Sequence, residues 1–152
     1  MAVADLITFE HGELGEQNLQ QLIKLSTDED VANRDWAALL LAQLVALDDV
    51  RREDVKAALI IAAHDKESCV RIEAACGLVE LDRPLALSVI QSELKQDTVI
   101  SSVFYAAEDL ADPSLVEDLR EFQNSETGPN DYCKARDALE ACLKGIEISQ
   151  NP

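Results

Sequence analysis

Residues 28–44, DEDVANRDWAALLLAQL, lie over residues 65–81, DKESCVRIEAACGLVEL, without a gap. A chain that repeats itself in this way folds by stacking similar units, each burying its apolar face against its neighbours. Asp28 meets Asp65, Arg34 meets Arg71, Ala37 and Ala38 meet Ala74 and Ala75, Leu41 meets Leu78, and Leu44 meets Leu81. A third copy opens at Asp97: Ala106, Ala107 and Leu110 fall in register, with Val103 in place of the arginine and Pro113 in place of the last leucine. A weaker fourth opens near Asn130 and keeps Arg136, Leu143 and Ile146. The period of roughly 35 residues falls inside the range of helical repeat arrays.

Each copy reads as an amphipathic helix, since Ala37, Leu41 and Leu44 recur at i, i+4 and i+7 and line one stripe. Asp28, Asp65 and Asp97 stand at or near the helix starts, where a carboxylate accepts orphan backbone N–H groups and meets the positive end of the dipole. The same periodicity predicts further helices over 16–25, 51–63, 83–95 and 113–123, with Pro84 and Pro113 suited to first turns. Short connections make successive helices antiparallel. Aromatics are only 4% of the chain, so Leu, Ala, Val and Ile do the packing, and no strand pattern competes. Residues 1–15 fit no copy and read as a cap segment, 16–146 as the repeat domain, and 147–152 as a fraying tail. SETGPN, at 125–130, is expected to loop outward.

An aspartate in a turn, a small or apolar residue five positions on, then arginine, a pair of alanines and a leucine: this order resembles HEAT repeats. The match is best at Asp65, Val70, Arg71, Ala74, Ala75 and Leu78, which stand as in the small bacterial type related to phycobilin lyase repeats, and it extends over about residues 16–146. The resemblance implies an all-α fold, a right-handed α-solenoid of about four antiparallel helix pairs. It places the helices opening near Asp28, Asp65, Asp97 and Asn130 on the inner, concave face, which commonly binds a partner. It also implies a structural ladder between neighbouring repeats from Asp28, Arg34, Asp65, Arg71, Asp97 and Arg136.

Between the core stripes of the inner helices runs a more polar row. Trp36, Glu73 and Tyr105 are equivalent, as are Gln43, Glu80 and Asp112, with Leu40, Gly77 and Asp109 between them. Rigid aromatic area beside acids is the chemistry that receives lysine or arginine from a protein partner, so Trp36, Gln43, Glu73, Glu80, Tyr105, Asp109 and Asp112 form the candidate contact set. The alternative is that the two aromatics close core gaps with their polar tips wet, beside a solvated acidic helix face.

Thirty acids stand against thirteen bases, a formal charge of −17, with acid concentrated towards the two ends of the chain. Such a surface repels phosphate backbones and anionic lipid head groups, which argues against nucleic acid and membrane partners and for a basic protein, although plain solubility accounts for acid equally well. The opening residues lack a basic start followed by an apolar run, and no stretch reaches the roughly 18 apolar residues of a membrane span, which points to the cytoplasm. Cys69, Cys76, Cys133 and Cys142 lie in apolar helical patterns and are expected as reduced, buried thiols.

Catalysis has little to work with: His11 and His64 are the only histidines, and neither has a nucleophile at an activating spacing. Metal-ligand spacings are missing too, as are the His-Glu dipeptides of iron hydroxylases built on similar repeats, so no metal and no cofactor is expected. The reading is a non-catalytic protein–protein interaction module, for example an inhibitor or immunity protein covering a toxin's surface. Two alternatives stay open: a tetrapyrrole-handling subunit of the phycobilin lyase type, or a scaffold piece of a larger complex. A pigment's propionates would call for arginines in the concave row, and it has none.

Overall fold

The computed structural model of the chain describes residues 13–45, 52–123 and 129–150. Most of the cap segment, the SETGPN connection up to Gly128, His11 and the last two residues of the tail lie outside them. The described chain is all-α: α1 (Glu13–Leu25), α2 (Val31–Leu44), α3 (Arg52–Ala62), α4 (Ser68–Leu81), α5 (Arg83–Leu94), α6 (Ser102–Leu110), α7 (Val116–Gln123) and α8 (Pro129–Gln150), with a 3-10 turn over Pro113–Leu115 leading into α7. No strand occurs among the described residues. The last helix continues to Gln150, through most of the stretch expected to fray.

In the first two copies the repeated aspartate closes the turn ahead of the helix instead of capping it. Asp28 Oδ1 accepts the Asp30 N–H at 2.9 Å, and Asp65 Oδ1 accepts the Glu67 N–H at 2.9 Å. These are Asx turns, in which a short carboxylate reaches the amide two residues on. Asp30 then caps α2 through the Ala32 N–H at 2.9 Å, and Asp82 caps α5 through the Leu85 N–H at 3.3 Å with Pro84 in the first turn. Helix α6 stops at Ala111, which sits in the left-handed region at φ 47°.

The even-numbered helices pack in order, α2 on α4, α4 on α6 and α6 on α8. The odd-numbered ones bridge them: α3 touches α2 and α4, α5 touches α4 and α6, and α7 lies on α8 and α5. Paired alanines make this spacing possible. Ala37, Ala38, Ala74, Ala75, Ala106 and Ala107 of the even helices are all buried. Larger apolar groups, among them Leu41, Leu59, Leu78, Ile90 and Phe104, fill the space between the two sets of helices. Each such side chain contributes roughly 1.5–3 kcal/mol on burial. Phe104 is braced by Phe122 of α7, with ring centroids 4.7 Å apart. Gly77, expected on the solvent-facing row, is buried: an added Cβ would stand 2.9 Å from both Cα and Cβ of Ala42.

Two guanidinium groups tie the turns together. Arg34 donates to Asp65 through Nε (2.6 Å) and Nη2 (3.1 Å), while its Nη1 holds the carbonyls of Asp28 (2.9 Å) and Glu29 (3.0 Å). Arg71 holds the carbonyls of Asp65 (2.8 Å) and Lys66 (2.9 Å) in the same way. Its carboxylate, however, is Glu93 of α5 at 2.6 Å, and Asp97 is exposed. Burial opposes ionisation of Asp65, but the Arg34 and Glu67 hydrogen bonds outweigh it and hold the carboxyl below the usual range. Arg136 lies outside this ladder: it pairs with Asp137 (3.2 Å) and Glu140 (3.9 Å) on its own, exposed helix face.

Candidate functional site

Helices α2, α4 and α6 carry the row of aromatic and acidic residues. Trp36 is 58% exposed and Tyr105 51% exposed, far more than a gap-filling aromatic needs. Gln43, Glu80 and Asp109 are also exposed, and Glu73 is half-buried between them. Burial, followed by the charge of Asp35, pushes the Glu73 carboxyl above its ordinary value. Glu73 and Asp109 both bear on Cys76, whose thiol is pushed up to about 12, chiefly by burial. The structure therefore brings Asp35, Glu73 and Asp109 into one electrostatic neighbourhood across three helices.

One member of the contact set is otherwise engaged. Asp112 accepts from the Ser114 N–H (3.0 Å) and Oγ (2.7 Å) and from Arg83 Nη2 (3.5 Å), so it caps the 3-10 turn and is withdrawn from the row. Tyr105 already has a cation, Lys134 Nζ of α8, at 4.4 Å from its ring centroid. Leu40 is half-buried, and with Gly77 it makes the middle of the row drier than its sequence position implies.

Asp35 was not singled out by the sequence reading. In the register set by Arg34, Arg71 and Val103, its equivalents are Ile72 and Phe104, each 1% exposed. A carboxylate at a core position was the available signal. Its Oδ1 is shut off from solvent and accepts no hydrogen bond.

The thiols divide: Cys142 is buried, Cys69 and Cys76 are half-buried, and Cys133 is exposed, contrary to the expectation that all four are interior. Cys133 lies near the start of α8 on its outward side, where an apolar pattern of neighbours does not guarantee cover. His64 is exposed at the end of α3, its Nδ1 2.8 Å from the Ile60 carbonyl. Among the described residues, no group of three or more His, Cys, Asp or Glu is placed to hold a metal ion. No helix among them is long and apolar enough to cross a membrane.

Fold and site together define an all-α protein whose even-numbered helices present an exposed aromatic and acidic face. No family model matches the chain. The chain is similar to Protein YibA of Escherichia coli, with 33% identity over 95 residues in both the K12 and O157:H7 strains, covering 62% of this chain. It spans 32% of those relatives' length. The X-ray structure of E. coli YibA superposes with a TM-score of 0.60 at 25% identity, over 90% of this chain and 52% of that one.

Proposed function

We propose that this chain is a HEAT-like, right-handed α-solenoid of about four helix pairs that acts as a non-catalytic binding module in the cytoplasm. Its partner is a basic protein docked on the face of α2, α4 and α6, and covering a partner's active surface, as an inhibitor or immunity protein does, is the use suited to an acidic module. The ordered packing of even helices, the bridging odd helices and the Arg34–Asp65 tie support the stacked-repeat reading.

The observation that carries the functional reading is the exposure of Trp36 and Tyr105 at equivalent positions of α2 and α6 beside Glu73 and Asp109. Large exposed aromatics flanked by carboxylates are costly to keep in water and form the anchors of many interfaces. The contact set is Trp36, Gln43, Glu73, Glu80, Tyr105 and Asp109, with Asp112 left out because the 3-10 turn uses it.

An affinity pull-down from native lysate at low and moderate salt tests this, with a Glu73→Lys, Glu80→Lys, Asp109→Lys variant as control. Recovery of one basic protein by the wild type alone supports the reading. Equal capture by the variant refutes it.

A further inference from the structure

The repeat register aligns two steps of the helix stack residue for residue. Tyr105 stands two residues after Val103 on α6, and Trp36 two residues after Arg34 on α2. Lys134 stands two residues before Arg136 on α8, and Cys69 two residues before Arg71 on α4. Helix α8 packs on α6, and α4 packs on α2. At the α6–α8 step the chain's own lysine covers the aromatic ring at 4.4 Å. At the α2–α4 step the residue in register with that lysine is Cys69, which supplies no charge.

Among the described residues no ion pair reaches the carboxylates of Asp35 and Glu73. Asp35 occupies a position that holds Ile72 and Phe104 in the next two copies, and its Oδ1 is buried without a hydrogen bond. A buried carboxylate oxygen without a donor is expensive, and a nearby positive charge relieves that cost. Glu73 adds a second, half-buried carboxylate close enough for Asp35 to act on it. Burial, then the Asp35 charge and a hydrogen bond with that carboxylate, push the Cys69 thiol upward.

We infer that the α2–α4 step is the receptor for a single lysine or arginine side chain of the basic partner, seated on the indole of Trp36 and flanked by Asp35 and Glu73. The Lys134–Tyr105 contact is the same arrangement satisfied from within the chain. This inference rests on the binding role proposed above and deepens it by naming where the partner's cation goes. The planar guanidinium of arginine suits it best, because it stacks on an indole while its edges donate to carboxylates.

Trp36 is the chain's single tryptophan, so its emission reports on this step directly. The full chain is titrated with a hexa-arginine peptide. The peptide is expected to quench and shift Trp36 emission, and Glu73→Gln and Cys69→Lys are each expected to weaken binding by about three- to tenfold, the latter by filling the seat from within. Glu117→Gln, which removes the same charge from an exposed site on α7, should leave affinity unchanged. If Cys69→Lys does not fold, Asp35→Asn takes its place. Equal losses in Glu73→Gln and Glu117→Gln overturn the inference, because the peptide then responds only to net charge. A partner protein weakened by Asp109→Asn but not by Glu73→Gln or Cys69→Lys keeps the binding face and removes this seat. Indifference of a bound partner to every change on the face removes both.

Discussion

Gly77→Ala is a stringent probe of how closely α2 and α4 approach. The new methyl carbon would lie 2.7 Å from Leu59 Cδ1 and 2.9 Å from both Cα and Cβ of Ala42. Leu59 can rotate its methyl away, but the Ala42 backbone cannot move without α2. Restoring ordinary carbon contacts of about 3.5–4.0 Å requires the helices to part by roughly 0.6–1 Å, which loosens the alanine contacts on both sides. Overpacking of this kind costs about 1–3 kcal/mol, and the upper part of that range applies because two of the three atoms are fixed. Alanine in place of a mid-helix glycine returns about 1 kcal/mol of helix propensity. The net expectation is a loss of about 1–2 kcal/mol, or a Tm lower by about 2–8 °C for a chain of this size. Urea unfolding followed by circular dichroism reads this, with an unchanged m-value showing that the unfolded state is not the cause. Pairing the change with Ala42→Gly should cost less than the two single losses added together, since it removes one clashing atom while the Ala42 Cα stays in place and the new glycine costs about 1 kcal/mol of helix propensity. A Gly77→Ala protein as stable as wild type, or more stable, would refute the close approach.

Four other outcomes follow from the structure. Because the Asp65 carboxyl is held below its usual value, its stabilisation is fully present above the unfolded pKa near 3.8 and disappears as pH falls through the lower folded value, so Asp65→Asn should flatten the fall in Tm on acidification to about pH 3. Trp36→Ala and Tyr105→Ala should move Tm by no more than about 2 °C while weakening partner binding, and comparable losses of both would make the rings structural. A thiol reagent at about pH 8 should modify Cys133 first in the native protein, leaving Cys142, pushed up to about 11 by burial, and Cys76 for the unfolded chain, as mass spectrometry of the adducts will report. Ala111→Gly should stabilise the protein by about 0.5–1 kcal/mol in urea unfolding, because the left-handed conformation at that helix end costs an alanine more than a glycine.

The helices were legible because their signal is a period, and periods survive substitution. The stretches 83–95 and 113–123, read from spacing and two prolines, correspond to α5 and to the 3-10 turn with α7. Partner choice was less legible, because it depends on which side chain reaches across and not on which residue is equivalent. The repeat pointed from Arg71 to Asp97, yet the guanidinium takes Glu93. A sign of this was present: Glu93 shares the apolar stripe of α5 with Ala86 and Ile90, and an acid on a buried stripe needs a cation. Gly77 was placed on the polar row by its position between Glu73 and Glu80. Only the distance between α2 and α4 shows that the missing side chain is what lets them meet. Asp112 was likewise placed by register on the contact row, whereas the Pro113 that follows it turns the chain into a 3-10 start and commits the carboxylate to Ser114. Trp36, Tyr105 and Asp109 lie on the surface the periodicity assigned them, and Asp35 escaped notice for being read as one more acid among thirty.

The way Arg34 and Arg71 hold their turns also has a mechanical side. Each grips two carbonyls of the turn before its own helix and a carboxylate farther along the chain, so pulling on one turn loads the next. The stretch from Asp28 to Glu93 is thus braced as a truss, with tension shared across α2, α4 and α5. Arg136 pairs with acids of its own helix, and among the described residues no guanidinium ties α8 to a neighbouring turn. Under force applied to the C-terminus, α8 should peel away first at low load, and the braced section should then yield in one larger step.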